Sequence, residues 1–335
     1  MTRNRKPTSV IISDREPGLP YSKGLMASRV MATGLSAYRA YQVAERIEQI
    51  LLDRRSPTVT SQELSDVTVQ VLQEVAGERY AKNYVRWQQV ERLDIPLVIL
   101  IGGATGVGKS TVATQLAARL GIVRVVATDA IREVMRAMFS KELMPTLHTS
   151  SFDAGTALRE PALRGTDRVI AGFREQTEAV VVGMNAFLAR AAVEGTSVII
   201  EGAHVVPGFV DLESWQDRLL GVPVVITVEE EDVHRVHFAA RNADYPGRQA
   251  ERYSRGMSNI RRIQKFIRSQ ALAHGVPVIP NYSLDQTIAA VVDLIVERAT
   301  ERVGMPAGTA AGAAGPPRPR EAEPAPVAMI EGRAR

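Results

Sequence analysis

Apolar positions recur at helical spacing through the first ninety residues. Tyr41, Ala44, Ile47, Ile50 and Leu51 share one side of a segment from Gly34 to Arg54, and Leu64, Val67, Val71, Leu72 and Val75 do the same between Ser61 and Tyr84. Pro57 separates the two segments, and Thr60 with Ser61 is placed to cap the second. With a short extended start at Val10 to Ile12, this stretch predicts a small, mostly helical unit. From Leu97 the texture changes to short apolar runs: Leu97 to Ile101, Val123 to Ala127, Ser197 to Glu201, Val222 to Val228 and Val276 to Ile279. Strands apolar along their whole length are covered on both faces, and alternation with helices implies right-handed crossovers. The expected fold is therefore a doubly wound parallel α/β sheet preceded by a small helical domain. Its boundaries are placed at 1–92 and 93–302, with the join at Leu93 to Pro96. The remainder, 303–335, is rich in Ala, Gly and Pro and cannot repay its ordering entropy, so it is expected to be disordered.

Composition narrows the class. With 45% hydrophobic residues over 335 positions the chain can bury a sizeable core. Cysteine is absent, which removes disulfides and thiolate metal sites and makes the cytoplasm the default location. No apolar run approaches the roughly 18 residues that span a bilayer, so no membrane role is expected. The net charge of +4 is small, yet Arg241, Arg248, Arg252, Arg255, Arg261, Arg262, Lys265 and Arg268 crowd together. Few aromatics interleave them, which favours a local anionic ligand over a nucleic acid.

The chemistry enters at Gly103-Ala104-Thr105-Gly106-Val107-Gly108-Lys109-Ser110, which satisfies G-x-x-x-x-G-K-[ST] after a strand and before a helix. Glycines let backbone N–H groups close around an anion, and the helix N-terminus adds partial positive charge. The loop, with Thr111, is expected to bind ATP in a P-loop NTPase arrangement. Lys109 would span the β- and γ-phosphates, and the Ser110 hydroxyl would ligate Mg²⁺. The second strand runs into Asp129, Arg132 and Arg136. Beyond the carboxyl end of a strand, Asp129 could orient or deprotonate an acceptor hydroxyl, with the two arginines clamping an anionic acceptor; the plainer reading of Asp129 is an N-cap. Glu201 ends the third strand, where a carboxylate can hold Mg²⁺, and His204 is a candidate substrate contact. Turn residues Tyr245-Pro246-Gly247 between helical segments suit a mobile lid carrying Arg241, Arg248 and Arg252. His234 and His237 lie three apart with no third metal ligand nearby in sequence.

Several segments together resemble the 2-phosphoglycerate kinase family: the phosphate loop with "TDAIREVMR", "LHTSSFDAG" from Leu147, "IIEGAHVVPG" from Ile199 and "VPVIPNYSLDQTI" from Val276. The first ninety residues, with "LPYSKGLMASRVMATGL" and "ERYAKNYVRW", are similar to an ATP-cone domain. The resemblance implies transfer of the γ-phosphoryl group of ATP to 2-phosphoglycerate, giving 2,3-bisphosphoglycerate. An acceptor carrying phosphate and carboxylate needs cationic and polar partners, for which Arg132, Arg136, Ser150, Ser151 and Arg164 are candidates. The ATP-cone likeness implies nucleotide sensing, with Lys23 and Arg29 as phosphate contacts. A P-loop kinase for a nucleotide or sugar, and an ATP-sensing protein without turnover, stay open as alternatives, as does a homo-oligomer.

Overall fold

The computed structural model describes residues 10–14, 18–54, 56–90, 93–158, 165–243 and 249–304. The Ala/Gly/Pro-rich tail and Arg164 lie outside them. The chain begins with three two-residue strands, β1 (Ile11–Ile12), β2 (Leu19–Pro20) and β3 (Thr58–Val59), in the order β2-β1-β3. Four helices accompany them: α1 (Lys23–Met31), α2 (Ala37–Asp53), α3 (Ser61–Val75) and α4 (Glu78–Val90). The single helix expected from Ser61 to Tyr84 is two, because Gly77 takes φ +108° and breaks the periodic run. Thr60 does cap α3: its side chain accepts from the Glu63 N–H while Glu63 accepts from the Thr60 N–H at 2.8 Å. Tyr41, placed by periodicity on the buried face of α2, is 51% exposed; Ala40, Val43, Ala44, Ile47 and Leu51 are the residues that α2 buries. These helices enclose a core of their own around Ile47, Leu51, Val71 and Leu72.

The second part alternates strand and helix: β4 (Leu97–Gly102), α5 (Lys109–Leu120), β5 (Val125–Ala127), α6 (Thr128–Met138), α7 (Arg168–Glu194), β6 (Val198–Gly202), β7 (Leu220–Thr227), α8 (Glu231–Ala243), α9 (Gln249–Ala273), β8 (Val278–Pro280) and α10 (Leu284–Gly304). All five strands run parallel in the order β5-β6-β4-β7-β8, so β4 sits at the centre. Its side chains alternate between two cores. Ile99 and Ile101 join the one containing Val112 and Leu116 of α5 and Ile295 of α10, whereas Val98 and Leu100 join the one containing Ile131 of α6 and Met184 of α7. This is the physical content of a strand apolar at every position. Each such side chain, fully buried, contributes about 1.5–3 kcal/mol.

One close approach lies within the second part, and one contact joins it to the first. Short 3-10 turns at Pro145–His148 and Ala154–Ala157 fold the link between α6 and α7 into a cap, and the second turn lies so close to α7 that a Cβ on Gly172 would be 2.3 Å from the Gly155 nitrogen. The helical part meets the sheet part through buried Asn83, whose amide donates to Asp293 Oδ1 on α10 at 2.7 Å and to the Thr33 carbonyl at 3.2 Å. Among the described residues no helix is long and apolar enough to cross a membrane.

Candidate active site

The central strand ends against two neighbours, and that crowding shapes the loop after it. A Cβ on Gly103 would stand 2.3 Å from the Ile226 carbonyl oxygen, so only glycine lets the chain leave β4 here. Gly108 turns into α5 at φ +91°, with the Asn281 amide 2.4 Å from where a Cβ would be. Between them the loop carbonyls are taken up by side chains from separate elements. Lys109 Nζ donates to Ala104 O at 2.8 Å, His234 Nε2 on α8 to Thr105 O at 2.8 Å, and Asn281 Nδ2 to Val107 O at 2.9 Å. Asn281 is itself held: its N–H donates to Thr227 O at 2.8 Å and its Oδ1 accepts from Thr287 at 2.9 Å. Carbonyls bound in this way have their acceptor capacity partly used, and the N–H groups of the first turn of α5 have no acceptor within the helix. The result is an anion cradle whose donors remain available.

Ser110 Oγ donates to Glu201 Oε1 at 2.8 Å. Glu201 is opposite Ile101 of β4 on one side and Ala127 of β5 on the other, which places its buried carboxylate between the phosphate loop and the start of α6. A hydroxyl and a carboxylate meeting at one point are the oxygen donors a hard divalent cation takes. They line a cavity of about 510 Å³ together with Thr105, Gly106, Thr111, Asp129, His237 and Tyr282.

Beside this cavity α6 presents the expected acceptor residues, with one change. Asp129 is not the N-cap: Ala127 occupies that position, and the Asp129 side chain is 75% exposed at the cavity wall. Arg132 turns inward, its guanidinium donating to the Thr149 carbonyl, with Nε 3.6 Å from Asp129 Oδ1 and Nη2 3.2 Å from Glu133. Arg136 does not join it. It is half exposed and paired with Glu133 at 3.3 Å, so the two arginines do not form a matched clamp in this conformation. Ser150 donates to Asp153 at 2.7 Å, and Ser151 is buried beside it.

His204 departs from expectation. It has no exposed surface and stacks on Phe173, so it offers nothing to a ligand here. Its Nδ1 is 2.9 Å from Thr128 Oγ1 and its Nε2 2.9 Å from Gln176 Oε1 on α7. Gln176 spends its amide hydrogens on the Thr146 and Thr149 carbonyls, which leaves Oε1 as the acceptor. His204 must then carry its proton on Nε2 and accept from the Thr128 hydroxyl on Nδ1. Burial pushes its pKa down to about 4, with Arg132 and Lys109 acting the same way and Asp129 opposing. Room for Thr128 comes from Gly202, where a Cβ would be 1.8 Å from Thr128 Oγ1.

The side chain of Arg241, in α8, and the whole of Arg248 fall outside the described residues, as does the side chain of Arg252. His234 braces the loop from a fully buried position; burial drives its pKa down to about 4. His237 stands at the cavity wall. Sequence reasoning passed over Asn281, Tyr282 and Gln176. The first two follow the last strand, where the rule that ligands gather at carboxyl ends of strands would have pointed. Gln176 occupies the helical stripe that carries Phe173, Val180 and Met184, and a polar residue in an apolar stripe was its signal.

Residues 98–264 match the model of an AAA domain family. Over longer spans, the chain is 39% identical to the 2-phosphoglycerate kinase of Thermococcus kodakarensis, covering 86% of this chain and 97% of that protein. It is 39% identical to the enzyme of that name from Pyrococcus furiosus, covering 87% and 94%. The corresponding figures for Methanopyrus kandleri are 38% identity, 88% and 89%. A solved gluconokinase from Sinorhizobium meliloti aligns at 12% identity and a TM-score of 0.39, over 62% of this chain and 97% of the other, a loose likeness. Phosphate loop, strand-end carboxylate and helical N-terminal part thus sit in a chain that matches these relatives almost from end to end, and it belongs to the 2-phosphoglycerate kinase family.

Proposed function

We propose that the protein transfers the γ-phosphoryl group of ATP to the free hydroxyl of 2-phosphoglycerate, releasing ADP and 2,3-bisphosphoglycerate. The observation carrying this reading is the juxtaposition, at neighbouring strand ends, of a braced phosphate loop, the Ser110–Glu201 pair and the inward Arg132 beside Asp129. Relatives bearing the name of that activity support the choice of acceptor.

In this reading residues 103–111 contact the nucleotide, with Lys109 leaving the Ala104 carbonyl for the β- and γ-phosphates. Ser110 and Glu201 would hold Mg²⁺, which supplies charge neutralisation on the phosphate oxygens when bound. The Asp129 carboxylate orients the acceptor hydroxyl and takes its proton as the oxygen bonds to phosphorus and the bond to the ADP oxygen breaks. Arg132 and Arg136 of α6, with Ser150 and Ser151 on the cap side, receive the acceptor's phosphate and carboxylate, and Arg241 and Arg248 are assigned to neutralise charge on the transferring group. His204 is removed from the substrate contacts.

Residues 1–92 are read as an ATP-cone-like domain, 93–302 as the kinase domain and 303–335 as a tail. A cavity of about 610 Å³ lined by Tyr21, Ser22, Arg29, Ser61, Tyr84 and Gln88 supports a ligand site in the first of these. Lys23 is committed to Glu45 and Glu48 at 3.5 and 2.9 Å, which leaves Arg29 as the phosphate contact there.

The test is ADP formation with 2-phosphoglycerate, 3-phosphoglycerate and nucleoside monophosphates offered in parallel. Turnover strictly dependent on 2-phosphoglycerate is expected. Preference for another acceptor would overturn the substrate assignment, and acceptor-independent ADP would favour a sensor.

A further inference from the structure

The buried polar groups behind the cavity form one path. It starts at Thr128, which precedes Asp129 in the first turn of α6, and passes through His204 in the turn after β6 to Gln176 in the middle of α7. From Gln176 it reaches the Thr149 carbonyl at 3.1 Å, which also accepts from Arg132. Each donor and acceptor in the path is fixed by the next. Thr128, His204 and Gln176 are each fully buried or nearly so, in the apolar seam between sheet and helices. Groups so placed hold their orientation because the alternative is an unpaired polar atom in a dry site. The two ends of the path are the residue before the exposed carboxylate and the main chain that holds the inward guanidinium.

We propose that His204 and Gln176 are positioning residues of the acceptor site, holding Asp129 through Thr128 and Arg132 through the Thr149 carbonyl in one fixed relation. This rests on the kinase reading above and extends it: neither residue touches substrate, and both act on the acceptor rather than on ATP. The nucleotide cradle is braced separately, by Lys109, His234 and Asn281, none of which lies on the path. Disturbing the path should therefore move acceptor constants and leave nucleotide constants in place.

Two variants cut it at opposite ends. Thr128→Val keeps the side-chain shape and removes the hydroxyl that His204 Nδ1 accepts from. Gln176→Glu keeps an acceptor for His204 and removes the donors to the cap carbonyls. Steady-state ADP formation in the full-length protein, titrated with 2-phosphoglycerate and with ATP in turn, should show kcat/KM for 2-phosphoglycerate falling about tenfold or more in both. The KM for ATP should stay within about twofold, and Thr128→Ser should restore the wild-type constants. Folded variants with unchanged acceptor constants overturn the proposal. So does an equal rise in both KM values, which marks general loosening, and so does a Thr128→Ser that behaves like Thr128→Val. A ¹⁵N spectrum of the wild-type histidines reads the path without turnover: a neutral His204 protonated on Nε2 is expected, and the Nδ1–H form overturns it. Wild-type protein with no 2-phosphoglycerate-dependent ADP sinks the kinase reading and the acceptor role with it, whereas wild-type turnover with unaffected variants sinks the positioning role alone.

Discussion

Ser110 and Glu201, ninety-one positions apart in sequence, share a hydrogen bond of 2.8 Å across the mouth of the central strand. In the proposed reading these two oxygens would hold Mg²⁺, which would supply charge neutralisation on the phosphate oxygens. Glu201→Gln keeps a hydrogen-bond partner for Ser110 and removes the charge. The Mg²⁺ concentration giving half-maximal rate should rise about tenfold or more. A Mg²⁺ titration coinciding with the wild type would remove Glu201 from the metal.

Lys109 holds the Ala104 carbonyl at 2.8 Å and is almost entirely buried. Lys109→Ala should lower kcat by about three orders of magnitude. Circular dichroism should show the fold kept, since Val112, Ala113 and Leu116 anchor α5 independently. Near-normal turnover in a folded variant would take the loop out of the chemistry.

Arg132 is a cap-side residue in this structure, bonded to the Thr149 carbonyl and close to Asp129. Arg132→Ala is expected to raise the KM for 2-phosphoglycerate at least about tenfold with little change for ATP. Arg136→Ala, at a half-exposed side chain already paired with Glu133, should have an effect several-fold smaller. Equal losses for the two variants would restore the paired clamp.

His204 and His234 both have pKa values lowered from 6.5 to about 4 by burial. The unfolded chain takes up these protons as pH falls below 6.5, while the folded protein resists until about 4. Stability is therefore whole above pH 6.5 and declines steadily between 6.5 and 4, by about 3 kcal/mol for His204. Denaturant midpoints at pH 7.0, 6.0 and 5.0 check this, above the range where most carboxylates titrate. A flat profile across that interval would show that neither histidine is held neutral.

Much of the fold was readable beforehand because the sequence signals were local. The central strands declared themselves by apolar runs, and the phosphate loop by a spacing whose geometry is nearly self-contained. The run expected from Val123 is shorter, only Val125–Ala127, with Val123 and Val125 exposed at the sheet edge rather than covered on both faces. Contacts made at a distance were not legible. The inward turn of Arg132 depends on the Thr149 carbonyl, seventeen positions on, whereas the pairing of Arg136 with Glu133 is a local i,i+3 contact that the sequence did carry. His204 lies in the turn after β6, as expected of a loop residue, but its burial was not legible because it depends on Phe173 and Gln176, both far upstream on α7. The helix expected through Ser61 to Tyr84 failed for a nearer reason, one glycine in the left-handed region inside an otherwise regular pattern.

The bracing of the loop after β4 also bears on how the molecule is made. His234 reaches Thr105 from 129 positions later, and Asn281 reaches Val107 from 174 positions later. During synthesis the phosphate-binding segment emerges early, yet it gains its finished shape only when the last strand has docked. A nascent or truncated chain that stops before Asn281 carries the motif in its sequence without a rigid nest to receive nucleotide, so ATP rewards only molecules that have completed the sheet.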